Sequence, residues 1–141
     1  MNETILKFGY PENLLREYEH WVVLIRPVQL TAGCMVLACK EDAQSMAAVS
    51  SDAFAELPLV TGDIETCLRR AFGMEKINYI MLMMVDKEVH FHVVPRYSED
   101  KSHAGATFND PGWPALPDMK NQIELTGEQF DSLREYLKES L

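Results

Sequence analysis

The stretch "EVHFHVVPRY" (88–97) sets two histidines two residues apart in an apolar run and closes it with Pro-Arg. Side chains of a strand alternate between its faces, so Glu88, His90, His92 and Val94 share one face while Val89, Phe91 and Val93 share the other. The Val-Phe-Val face reads as core. The Glu-His-His row on the opposite face places ionisable groups where valines would pack, and it calls for a chemical explanation.

The neighbouring segments supply the sheet for this strand. "KINYIMLMMV" (76–85) is a strongly apolar strand joined to it through Asp86-Lys87. Upstream, the β-branched run "HWVVLIRP" (20–27) stops at Pro27, and "CMVLACK" (34–40) returns after a turn at Gly33. "LLREYEHW" (14–21) fits either a helical turn or a lead-in to the first strand. Residues 44–73 read as helix, with Phe54, Leu57, Ile64, Leu68 and Ala71 on one face. Pro58 predicts a kink or a second helix start within that span, and Gly73 a C-cap. Residues 98–122 read as loop, since "NDPGWPALP" is rich in Pro and Gly. Thr126 with Gln129 predicts a capping box opening a last helix with a Phe130, Leu133, Leu137, Leu141 stripe. Two strands, a long helix, two strands and a tail helix predict an α+β domain over 1–141: an antiparallel sheet with a long central helix and a C-terminal helix.

The chain has 141 residues, 47% of them hydrophobic, enough for one core, and a net charge of −9. A surface this acidic repels polyphosphate backbones and argues against a nucleic-acid groove, but it permits a small nucleotide, which needs only local donors. Cys34, Cys39 and Cys67 form no CxxC pair and suit reduced thiols. Apolar runs such as 79–85 are too short to span a bilayer, and the N-terminus lacks the apolar core of a signal peptide. These features predict a soluble cytoplasmic protein without membrane contact. Met81, Met83 and Met84 read as core, and Trp113 as a packing-loop residue or, alternatively, part of a base pocket.

Three readings fit Glu88, His90 and His92. They could be a half-buried sheet face with solvated polar groups. They could hold a metal, with His103 as a fourth ligand. Or a neutral histidine could attack phosphorus and carry a phosphoryl group covalently, provided that its other ring nitrogen donates to a fixed acceptor. The second histidine would then bind phosphate oxygens or give a proton to the leaving group.

"VHFHVVPRY" resembles the signature of the histidine triad family of nucleotide hydrolases and transferases, and "HWVVLIRPVQLTAGCMVLACK" resembles that family's paired strands. The resemblance covers about 20–97. Registered on Pro95-Arg96, it implies that His90 is the covalent nucleophile and His92 the third histidine of the motif. Glu88 stands where the first histidine is expected, Cys34 where many members carry histidine, and Arg26 where many carry a ribose-contacting acid or amide. The members' phosphate-contacting loop is reduced to Asp86-Lys87. A carboxylate ~4 Å from phosphate would oppose it by ~1 kcal/mol in water and raise the pKa of nearby histidines.

The resemblance implies a histidine-triad-like fold, a homodimer with joined sheets, and cleavage of a phosphoanhydride or phosphoramidate through nucleotidyl-His90. A dinucleoside polyphosphate such as diadenosine tetraphosphate is the implied substrate. His90 and His92 are the catalytic expectation, Glu88 and Arg96 the substrate-binding one, with neither metal nor cofactor. A nucleotide-binding protein with little turnover is the alternative.

Overall fold

A computed structural model describes residues 1–141. Its centre is the pair of all-buried strands β2 (Trp21–Ile25) and β3 (Met35–Cys39), antiparallel in the register Trp21↔Cys39 to Ile25↔Met35. β5 (His90–Arg96) pairs antiparallel with β3, and β4 (Lys76–Ile80) with β5. β1 (Leu14–Glu17) closes the far side, so the five-stranded order is β1-β2-β3-β5-β4 and the expected α+β antiparallel architecture is present.

Alternation along these strands produces two buried faces. Trp21, Val23, Met35, Leu37, Val89 and Val93 turn toward α2 (Ser51–Phe72) and α3 (Gly127–Ser140) in a cluster of 24 buried residues. Trp21 also donates from Nε1 to the Ala53 carbonyl at 2.8 Å, tying β2 to α2. Val22, Leu24, Val36 and Ala38 turn to the other face, where Ile5 of α1 (Glu3–Lys7) packs on them. The sheet is therefore covered on both sides, and α1 is a five-residue helix that no hydrophobic period announces.

The central helix begins later than expected. Ser50 caps it by accepting from Ala53 N, and only a 3-10 turn (Met46–Ala48) precedes it. It runs unbroken through Pro58, which lies on the exposed side, where the carbonyl deprived of its partner is free to take water. The buried stripe is Ala53, Val60, Ile64, Cys67, Leu68 and Phe72; Phe54, expected on it, is 37% exposed. Gly73 ends the helix in the left-handed region (φ 66°), as the sequence predicts. α3 carries the predicted capping box, Thr126 accepting from Gln129 N.

Two further segments depart from the sequence reading. Within the expected loop 98–122, β6 (Lys101–His103) and β7 (Ala106–Phe108) form a hairpin whose turn residues Ala104 and Gly105 both have positive φ. β4 stops at Ile80, and 81–89 is irregular, so the Met-rich run is a loop in its second half. Met81 and Met83 pack partly against the core, but Met84 is 83% exposed.

Candidate functional site

β5 delivers His90 and His92 to the α1 face of the sheet, opposite Ala38 and Val36 of β3. Their ring centroids lie 5.2 Å apart and nearly perpendicular. Phe8, just past α1, rests on both rings at 5.6 and 5.8 Å. His90 is 1% exposed and His92 7%. α1 is held in place by Asn2, whose side chain caps the helix and donates to the carbonyls of Cys39 and Glu41, and by Ile5 in the sheet.

Hydrogen bonds fix both imidazoles. His90 Nδ1 lies 2.7 Å from the Glu88 carbonyl. A carbonyl only accepts, so Nδ1 carries the proton, and in the neutral ring Nε2 keeps its lone pair. His92 Nδ1 accepts from Arg26 Nε at 3.2 Å, which leaves the proton on His92 Nε2. Arg26 is itself held by donating to the Val28 carbonyl at 2.7 Å. Burial, then the positive charge of Arg26 and the neighbouring His90, push His92 from its ordinary 6.5 down to about 4. This corrects the expectation that a motif carboxylate raises His92: at neutral pH the ring is uncharged, a hydrogen-bond donor through Nε2–H.

The charged groups of Glu88 and Arg96 are engaged away from this pair. Glu88 precedes β5, and its carboxylate accepts from Thr4 Oγ1 at 2.8 Å; only its backbone carbonyl serves His90. Arg96 lies four residues beyond His92 at the end of β5, 4% exposed, donating to both carboxylate oxygens of Asp110 (2.8 and 3.1 Å) and to Asn78 Oδ1. It is occupied as a buried ion pair and is not brought to the histidines. His103 stacks on Tyr136 at 4.5 Å and meets Ser132 Oγ at 3.0 Å, so the Glu88, His90, His92, His103 set does not assemble around a metal. The potential metal-ligand atoms that do gather, within 4.8 Å of one another, belong to Glu19, His20 and Glu56 at the surface. Cys34 is buried with Leu30 and Val94, near the Thr31 hydroxyl.

A cavity of about 180 Å³ reaches the pair, lined by Leu82, Met83, Met84, Val85, Asp86, His90 and His92. The acid that faces it is thus Asp86, whose charge is met by Lys7 at 2.6 Å. The sequence reading missed Phe8, Lys7 and Thr4. No local pattern marks them, since each acts through a contact with a segment some 80 residues away. The lining loop was partly legible: the Asp86-Lys87 connection marks its end, but not the five residues before it.

No protein-family model matches this sequence, and no curated protein matches it. Solved structures match over almost the whole chain. A histidine triad protein from Sinorhizobium meliloti aligns over 100% of this chain and 96% of its own, with a TM-score of 0.75 and 19% identity. One from Marinobacter aquaeolei gives a TM-score of 0.75 and 19% identity, over 100% and 94%. The diadenosine triphosphate hydrolase of Plasmodium falciparum aligns over 92% of this chain and 76% of its own, at a TM-score of 0.65 and 11% identity. At these identities the likeness is one of fold: the chain has the histidine triad fold. No helix is long and apolar enough to cross a membrane.

Proposed function

We propose that the protein is a nucleotide hydrolase or nucleotidyl transferase acting through His90. The observation that carries this reading is the 2.7 Å contact of His90 Nδ1 with the Glu88 carbonyl, which orients an Nε2 lone pair beside a neutral, donating His92. In the reaction, His90 Nε2 attacks the α-phosphorus and the bond from phosphorus to the leaving oxygen or nitrogen breaks. The leaving group departs with that electron pair and takes a proton from solvent or substrate. The ring, now bonded at Nε2 and protonated at Nδ1, is cationic, and the Glu88 carbonyl stabilises it. Water or another acceptor then takes the nucleotidyl group and frees His90. His92 Nε2–H donates to a phosphate oxygen, and Arg26 behind it supplies the nearby positive charge. A dinucleoside polyphosphate is the substrate that the resemblance favours, and the Plasmodium neighbour acts on one by its description.

A nucleotide-binding protein with little turnover is the second reading, and the 1% exposure of His90 favours it. A panel of nucleoside phosphoramidates and dinucleoside polyphosphates separates the two. Turnover abolished by His90→Gln with nucleotide binding retained supports catalysis. Binding without turnover in the wild type selects the second reading.

We further propose a homodimer. β4 is an edge strand, and Leu116 beside it is 85% exposed, which is the kind of surface that a second sheet covers. Light scattering should give twice 16.1 kDa; a monomer at micromolar concentration would refute it. Three unpaired, buried cysteines favour a reducing, cytoplasmic setting.

A further inference from the structure

We infer that residues 81–87 form a gate over His90, latched shut by the Lys7–Asp86 ion pair. This rests on the reading of His90 as the reacting group. In the conformation described, the cavity is about 180 Å³. Pockets that enclose a drug-sized ligand measure ~300 Å³ or more, so this cavity does not enclose a nucleotide against His90, which is 1% exposed. Two elements cover the histidine rings, and α1 with Phe8 is the fixed one: Phe8 rests on both rings, Ile5 is fully buried in the sheet and Asn2 ties the helix start to the carbonyls of Cys39 and Glu41.

The other element, the loop that lines the cavity, has few polar ties. No backbone hydrogen bond outside the sheet and helices anchors 81–87, and its one side-chain tie is Asp86 to Lys7. Leu82, Met84 and Val85 are 54%, 83% and 76% exposed, so opening forfeits little apolar burial at these three, and only Met81 and Met83 give up partial packing against the core. Met83 holds φ at 51°, a backbone region that a methionine rarely adopts, and release of the loop frees it from that conformation. Beyond the loop the chain is pinned again, with Glu88 on Thr4 and Val89 N donating to the Ala43 carbonyl. The moving segment is therefore bounded by Ile80 on one side and Glu88 on the other.

The latch is tested by the reactivity of His90 rather than by turnover, so an enzyme that proves inactive on every nucleotide leaves the result intact. Diethyl pyrocarbonate acylates an unprotonated, accessible imidazole nitrogen, and peptide mapping reports each histidine separately. His20, outside the gate and partly exposed, is the internal reference. Relative to His20, His90 should react slowly in the wild type. In Lys7→Glu, where the latch becomes a repulsion, it should react at least threefold faster. Lys7→Glu combined with Asp86→Lys should return the rate to that of the wild type. Equal rates in wild type and Lys7→Glu, a double variant as reactive as the single one, or a wild-type His90 as reactive as His20 would each overturn the gate.

Discussion

Acidification should destabilise this protein through His92 in a window that the structure defines. The ring is 7% exposed, accepts a hydrogen bond from Arg26, and is pushed from 6.5 down to about 4. In the unfolded chain His92 takes a proton as the pH falls through 6.5; in the folded chain it does so only near 4. Between these values the unfolded state binds more protons, so stability falls with pH, by about 1.4 kcal/mol per pH unit. From this residue alone, the loss is small above pH 7, ~2 kcal/mol at pH 5, and nearly complete by about pH 3. Urea denaturation followed by the fluorescence of buried Trp21 at pH 7 and pH 5 measures it, with His92→Gln as the comparison. The variant lacks the titrating group and should lose ~2 kcal/mol less than the wild type between the two pH values. Parallel losses in the two proteins would show that His92 is not held neutral, and would remove the basis for its role as a donor.

Three further substitutions test other parts of the structure. Ser50→Ala removes the cap of α2 and should cost ~1 kcal/mol in urea denaturation. Trp21→Phe leaves the Ala53 carbonyl without its indole donor and should cost ~1–3 kcal/mol in urea denaturation followed by circular dichroism, which does not depend on the Trp21 fluorophore. Asp110→Ala strands Arg96 as a buried unpaired charge and should cost ~3–5 kcal/mol, while the reactivity of His90 in the protein that remains folded is unchanged; a fall in that reactivity would return Arg96 to the site.

The sheet was legible because its evidence is local. β2, β3 and β5 are β-branched or apolar runs punctuated by Pro27, Gly33 and Pro95, and alternation alone places His90 and His92 on one face. The capping box at Thr126 and the terminal Gly73 are likewise signals within a few residues of what they specify. What stayed illegible depends on tertiary partners. α1 is too short to show a period, and it is helical because Ile5 has a sheet to pack on and Asn2 has two carbonyls to reach. Met81–Val85 is as apolar as a strand but leaves the ladder after Ile80, and Leu82–Val85 line the histidine cavity. Glu88 and Arg96 share a register with the histidines in the sequence, yet Thr4 engages the carboxylate of Glu88 and Asp110 the guanidinium of Arg96. The motif thus located the paired histidines, and distant contacts decided which of its neighbours join them.

The covalent role proposed for His90 is most directly tested by acid-free quenching of a single-turnover reaction with nucleotide labelled at the α-phosphorus, followed by peptide mapping. The label should appear on the peptide carrying His90, stable in base and lost in acid, and should be absent from His90→Gln. Label on His92, or turnover without any adduct in a variant lacking His90, would contradict the mechanism.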